Sequence, residues 1–258
     1  MSKRKKVSAP KKVGGMAITL SLIVGLLQLM DDGRQKKEMM KQVQTTLNSA
    51  NIVCDKVIDK NPTIDLKICY DYKHNGASMV QYTLQGDLVN KRNISKRPRF
   101  YREKKLSEDH QIRPSDYVKT TGSETPSYSY DLGHLAPDAA FDHTKRSLLK
   151  VYTMANVVPQ EASFNRGVWA DLEMQERAVA VDEKKATVTI LCLYGKNHLV
   201  KKSGMSMKRY VGIPDSFIKI IDSQRGRECY FMMNKPTKKP FTAFRVDCES
   251  IVKRLNSF

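Results

Sequence analysis

The chain has 258 residues, 45 of them Lys or Arg against 27 Asp or Glu, for a net charge of +18. Hydrophobic residues make up 40% and Gly and Pro are few, which excludes collagen-like, mucin-like and wholly disordered chains. Only one apolar stretch is long enough to matter to a bilayer, which excludes a multi-pass membrane protein, and the length suits one domain of about 200 residues plus an extension.

Residues 1–12 form a basic flank with Lys3, Arg4, Lys5, Lys6, Lys11 and Lys12 and no acid. Setting these six aside leaves +12 on the rest, so the body itself calls for a polyanionic partner or an acidic surface. Residues 13–30, VGGMAITLSLIVGLLQLM, are uncharged. As a helix they would reach about 27 Å, just short of the ~30 Å hydrocarbon core of a bilayer. Lysines before the stretch and Asp31-Asp32 after it favour a cytoplasmic N-terminus. LLQLMDDG offers no small-x-small cleavage site, so an uncleaved anchor suits the residues better than a signal peptide. A buried core helix and a mitochondrial presequence are the other readings; presequences are amphipathic, and this stretch is uniformly apolar.

Residues 31–63 read as a polar linker, with Met39, Met40, Val43 and Leu47 spaced for a short helical stalk. From Ile64 the texture changes. Val80, Tyr82 and Leu84 alternate with Gln81 and Thr83 as in a half-buried strand, and residues 86–121 read mostly as loop. Leu148 to Met154 is a strand candidate, and Arg166 to Val181 a helix. TVTILCLYG, YVGIPDSFIKII and ECYFMM are further strands, and ESIVKRL is a closing helix. Strands and helices mix without regular βαβ alternation, which predicts an α+β fold on a central antiparallel sheet with flanking helices, preceded by the N-terminal hydrophobic helix. Cys54, Cys69, Cys192, Cys229 and Cys248 contain no C-x-x-C pair, which argues against zinc. They allow at most two disulfides and a free thiol, and in an exported chain Cys54–Cys69 is a natural local bridge.

The informative block runs from Tyr130 to Arg177. It contains YDLGHLAPDAAF, then YTMANVVPQEASFNRGVWADLEMQER. Asn165 precedes a helical run as an N-cap would. Trp169 and Leu172 supply an apolar face, and Glu173 falls about 80° from Asn165 on a regular helix, so both can face one pocket. Arg177 follows Glu173 at i+4, the favourable order for an ion pair. Alone, this is an ordinary amphipathic helix, and a lone histidine is more often structural than catalytic. His134 gains weight from its company: an Asn, a Glu and a strongly basic body.

The block resembles the DNA/RNA non-specific endonuclease family, the ββα-metal nucleases of the endonuclease G-like type. The family motif D-R-G-H, a strand, S-N-x-x-P-Q and N-x-G-x-W-x-x-L-E stands here as DLGH, ANVVPQ and NRGVWADLE at the same intervals. ICYDYKHNGASMVQYTL, VGIPDSFIKII and FRVDCESIVKRL extend the likeness over residues 64–258. The resemblance implies a ββα-metal motif and a hydrolase that cuts DNA and RNA through backbone contacts, without base specificity, leaving 5′-phosphate ends. It implies His134 as general base and Asn165 as the protein ligand of Mg²⁺, with Mn²⁺ as a substitute. Glu173 would act through metal-bound water, and Asn156 would orient His134 or the scissile phosphate. Arg177 would support Glu173 and the phosphate, and Asp131 would be structural and orienting. Arg99 in RPRFYRE matches the phosphate-binding arginine, with Arg97 and Arg102 as rivals across a variable loop. The motif arginine is Leu132 here, a cationic position that a neighbour such as Arg166 could fill at the substrate.

The chemistry agrees with these roles. An imidazole of ordinary pKa, about 6.5, is a serviceable base at neutral pH, and Mg²⁺ takes few protein ligands and keeps its waters. The expectation is therefore an enzyme placed outside the cytoplasm, in periplasm, on the cell surface or secreted, contacting the membrane through residues 13–30 if these are uncleaved. A homodimer is compatible with it. A mitochondrial relative is the alternative location. A nucleic-acid-binding relative weakened in catalysis by Leu132 is the alternative function.

Overall fold

The computed structural model describes residues 33–46, 52–91, 94–117, 130–201, 210–249 and 251. Two compact units divide the chain, Met1–Gln42 and Val43–Phe258. The basic flank 1–12, the apolar stretch 13–30 and most of ESIVKRL lie outside the described residues. Residues 33–46 are helical, in line with the stalk spacing; Leu47 lies outside the description. Among the described residues no helix is long and apolar enough to cross a membrane.

The second unit is built on a seven-stranded antiparallel sheet. Its strands are β1 (Lys56–Asp59), β2 (Leu66–Asp71), β3 (Gly76–Gln85), β6 (Lys185–Lys201), β7 (Tyr210–Ser223), β8 (Gly226–Met233) and β9 (Arg245–Val246), hydrogen-bonded in that order. A two-stranded antiparallel ribbon, β4 (Tyr130–His134) with β5 (Val157–Glu161), stands apart from it. The alternation in β3 places Val80, Tyr82 and Leu84 in the core, opposite Ile190, Val188 and Ala186 of β6. The sheet begins at Lys56, within the stretch expected to be linker, because β1 shows only Ile58 to the core and its apolar signal is thin.

Both sheet edges are tied covalently. Cys54–Cys69 joins the approach to β1 to β2, and Cys229–Cys248 joins β8 to the segment after β9; Cys192 is free and buried. Each bridge closes a short loop and removes conformations from the unfolded chain.

Everything between β3 and β6, two neighbours in the middle of the sheet, is one long excursion, and the ribbon and helices lie within it. Residues 148–154 are not the expected strand. Helix α1 (Lys145–Val151) takes the first four of them, started by Thr144, whose Oγ1 accepts from Ser147 N at 3.0 Å, and Tyr152 to Met154 follow as a turn with a single bridge from Thr153 to Tyr101. Leu148, Val151 and Tyr152 all turn inward, a spacing of three and four that belongs to a helix rather than a strand.

Helix α2 (Ala170–Asp182) follows β5 through a turn of α-helix, Ala162–Phe164, and a π-helical segment, Asn165–Trp169. Phe164 and Trp169 pack on Phe217 of β7 at 5.8 and 5.1 Å between ring centroids, and Leu172 is fully buried with them. The N-cap is Glu161, whose carboxylate accepts from Phe164 N at 2.8 Å, and not Asn165, which already has helical dihedrals. Gly167 (φ −107°, ψ −108°) breaks the regular winding, so the 80° offset expected of a uniform helix does not carry across it.

Candidate active site

His134 ends β4 with its ring between aromatic walls. Phe100 lies 5.0 Å and Tyr152 4.9 Å from it by centroids. Its Nε2 is buried and has no hydrogen-bond partner. Burial lowers the imidazole pKa from 6.5 to about 4, with Asp138 opposing the fall and Arg97 adding to it. The ring is therefore neutral at pH 7, as a proton acceptor must be. Asp138 and Arg97 form the charged rim: Tyr152 Oη donates to Asp138 Oδ2 at 2.8 Å, and Arg97 reaches Asp138 at 3.3 Å and Asp142 at 3.0 Å.

Asp131, at the other end of the same strand, positions Asn165. Its Oδ2 accepts from Asn165 Nδ2 at 3.0 Å and from Arg166 Nε at 2.8 Å, and its Oδ1 accepts from Arg166 Nη2 at 2.6 Å. A carboxylate can only accept. It therefore fixes which way the Asn165 amide points: the NH₂ faces Asp131, and the carbonyl oxygen is the atom left to meet a cation. Asp131 and Asn165, expected as orienting residue and metal ligand, are thus hydrogen-bonded to each other, and Arg166, expected at the substrate, has two of its three nitrogens engaged on Asp131.

Burial, first, and the nearby Glu176 and Asp138 carboxylates push the Glu173 pKa up to about 8, while Lys219 and Arg177 oppose the rise. The Asp138 charge acts on both His134 and Glu173. Beneath Glu173 lies a buried set in which Lys219 Nζ donates to Glu176 at 2.8 Å, stands 4.2 Å from the Trp169 ring, and Tyr82 Oη donates to Glu176 at 2.7 Å. Arg177 is buried beside this set.

Two expectations change. Asn156 is completely buried, and both hydrogens of its Nδ2 are taken, by the carbonyls of Ala136 and Val151 at 2.9 Å each. Its Oδ1 accepts from Ala136 N at 2.9 Å. No donor remains for a phosphate, so its task is to hold the backbone just beyond His134. Among the three arginines, all of them exposed, Arg97 is the one whose charge reaches His134. The intervals of a variable loop could not separate the three.

The residues fit a hard divalent ion better than a soft one. Among the described residues no three His, Cys, Asp or Glu side chains cluster to hold a metal. An amide oxygen aimed by Asp131 suits an ion that keeps most of its own water, as Mg²⁺ does.

Residues 55–256 match the family described as DNA/RNA non-specific endonuclease. The chain belongs to that family. It is 26% identical to mitochondrial endonuclease G of Homo sapiens over 198 residues, which covers 71% of this chain and 63% of that protein. It is 24% identical over 213 residues to a nuclease of Nostoc sp., covering 80% of this chain and 72% of that one. Among solved structures, the fold is similar to a chain of the EndoG/EndoGI complex, with a TM-score of 0.59 at 21% identity, covering 83% of this chain and 89% of that one. The chain spans just under two thirds of the length of its endonuclease G relative.

With the family in hand, the residues that sequence reasoning passed over are readable. Asp138 stands four residues after His134 in GHLAPD, close enough in sequence to have been a candidate. Gln160 belongs to the family's P-Q pair, and it explains the glycine of DLGH. The two segments pair across the ribbon at Asp131↔Gln160, and a Cβ on Gly133 would stand 2.1 Å from Gln160 Oε1. Leu132, in place of the family's arginine, joins an apolar cluster with Ile112, Met154, Val157, Val211 and Ile213.

Proposed function

We propose that this chain hydrolyses phosphodiester bonds of DNA and RNA without reading bases, using Mg²⁺ or, as a substitute, Mn²⁺. The observation that carries the reading is the buried, unpartnered Nε2 of a neutral His134 on β4, the strand whose Asp131 orients Asn165. His134 accepts the proton of a water that attacks phosphorus, and the bond to the 3′ oxygen breaks. The phosphate stays on the 5′ end of one fragment and the other carries a 3′ hydroxyl. Arg97, held by Asp138 and Asp142, would present a positive charge to the phosphate at the rim beside His134. Asn165 would hold the metal ion through its carbonyl oxygen, and Glu173 would orient that ion's water. When bound, the ion supplies Lewis-acid stabilisation of the charge that builds on the phosphoryl oxygens. Lys219 holds Glu176 by a hydrogen bond, and Lys219 and Arg177 oppose the rise of the Glu173 pKa.

The net charge of +18 supports binding through the sugar–phosphate backbone, which carries no sequence information. Two disulfides support an oxidising compartment, and so placement outside the cytoplasm, with residues 13–30 as the anchor. Plasmid nicking tests the function. The expected result is Mg²⁺-dependent cutting that EDTA and His134→Ala abolish while DNA binding persists. Retardation of DNA with no cutting under any divalent ion would instead favour the weakened relative marked by Leu132.

A further inference from the structure

On the far side of the segment that walls the histidine pocket lies a separate cavity of about 550 Å³, within the range of small-ligand sites. Its lining brings five cations together, Lys60, Arg102, Lys104, Lys105 and Lys150, against two acids, Asp59 and Glu103. The Glu103 carboxylate is already satisfied. It takes a hydrogen bond from the buried Lys60 ammonium, one from Thr153 Oγ1 at 2.8 Å and one from Lys105 N at 3.2 Å. Asp59 accepts from Asn61 N at 2.8 Å, and Lys105 Nζ donates to the Asp59 carbonyl at 2.7 Å. Arg102, Lys104 and Lys150 make no ion pair with any described residue. Like charges gathered round one concavity raise each other's energy, and a bound anion relieves it.

The cavity and the histidine pocket share a wall. Tyr101 N donates to Tyr152 O at 3.1 Å, and Met154 N donates to Tyr101 O at 2.9 Å. These bonds seam residues 97–105 to the end of α1. Along an extended segment successive side chains point to opposite sides. Phe100 accordingly stands against His134, while Tyr101 lines the cavity with the Lys60 ammonium 5.8 Å from its ring centroid. The other wall repeats the pattern, with Tyr152 against His134 and Lys150 in the cavity. Arg97, Arg99, Arg102 and Lys104 make the shared edge basic from one side to the other.

We infer that this cavity is a second phosphate site, which holds a backbone phosphate of the nucleic-acid strand outside the bond being cut. The lysines act as point charges for the phosphate, and the Tyr101 ring offers a face to the adjoining sugar or base. The inference takes the nature of its ligand from the nuclease reading; the charge of the cavity does not depend on it.

The test uses the full chain and the double variant Lys104→Gln/Lys150→Gln. Two substrates are compared, a long single strand and a dinucleotide that extends no further than the histidine pocket. The variant should bind the long strand about 3- to 10-fold more weakly, and its slope of log affinity against log salt should shrink by about 0.7 for each phosphate that the variant no longer neutralises. Dinucleotide cleavage should be unchanged. Inorganic phosphate, exchanged for chloride at constant ionic strength, distinguishes the sources of the anion. It erases the difference between the proteins if the cavity takes free phosphate, and preserves it if the cavity takes only phosphate tethered in a strand. An unchanged affinity and slope in the variant overturns the inference. Failure of both proteins to cut either substrate refutes the nuclease reading, while the binding slope still decides the cavity.

Discussion

Replacing Asp131 by Asn separates shape from charge at the residue that aims the proposed metal ligand. Asp131 receives three hydrogen bonds, one from Asn165 and two from Arg166, through oxygens that only accept. An amide at position 131 keeps the volume but turns one acceptor into a donor. If the new NH₂ faces Arg166, it opposes the guanidinium. If it faces Asn165, it turns the Asn165 amide over and directs an NH₂ where the carbonyl oxygen should meet a cation. Loss of a group that orients a metal ligand costs 10- to 100-fold in metal affinity or activity. The concentration of Mg²⁺ giving half-maximal nicking should therefore rise by about 10- to 100-fold in Asp131→Asn. Saturating Mg²⁺ should recover most of the rate. Arg166→Ala is the control. Arg166 is 72% exposed, and removing it leaves the Asn165–Asp131 bond in place, so its half-saturation should stay near wild type. A wild-type Mg²⁺ titration in Asp131→Asn, or equal shifts in both variants, would refute the idea that Asp131 works by aiming Asn165.

Other consequences can be measured directly. His134 titrates near 4, so kcat/KM of the free enzyme should rise as the pH climbs through about 4 and stay level into the neutral range; a midpoint at 6.5 or above would show that the ring is not desolvated. The same depressed value means that the unfolded chain takes up this proton first, so the stability due to this group is lost as pH falls from 6.5 towards about 4. The difference in urea midpoint between wild type and His134→Ala across that window reads it. Lys219→Met strands the Glu176 carboxylate, which like Lys219 is fully shielded from solvent, and should destabilise by about 3–5 kcal/mol in urea unfolding, with Glu176→Leu in the same chain restoring much of the loss. Gly133→Ala drives a methyl into Gln160, and should lower stability by about 1–3 kcal/mol unless the glutamine moves aside, which a melting curve would show as no change.

What the sequence made legible follows from the range of each signal. Val80, Tyr82 and Leu84 announce β3 because one face of that strand is buried and the pattern repeats over every residue. Residues 148–154 misled because Leu, Val, Tyr and Thr suit a strand by composition, while the deciding signal was a single capping bond from Ser147 N to Thr144. β1 stayed hidden because an edge strand with one core residue has almost no pattern to show. In the candidate site, His134, Asn165 and Glu173 were singled out by motif spacing, which needs no knowledge of the fold. Of the two tasks expected for Asn156, its hydrogen bonds serve the backbone next to His134 and leave no donor for the phosphate, because a motif says that an amide is needed and not which carbonyls will take its hydrogens. The packing of Asn165–Trp169 on β7 and the burial of Lys219, a β7 residue, under Trp169 join segments far apart in the chain, and no local signal carries either.

The change of the motif arginine to Leu132 is best judged by what occupies each face of β4. Alternation along the strand places Asp131 and Gly133 on one side and Leu132 and His134 on the other. Arg166 has its Nε and Nη2 already committed to Asp131. Leu132 instead extends the apolar cluster that Phe100 also borders, and Phe100 is the ring against His134. The exchange removes a charge from the histidine face and keeps that face dry, in keeping with an imidazole held at about 4. Arg97 is then the cation that serves this face, and its loss should be felt more than that of either arginine after it. Removing one preorganised donor to a developing oxyanion costs about 10²- to 10³-fold in kcat. Arg97→Gln should fall in that range on a short phosphodiester substrate, whereas Arg99→Gln should change chiefly the binding of long strands. If Arg99→Gln proves the more damaging to kcat, the arginine at the rim has been misassigned, and the loss at Leu132 is made good elsewhere.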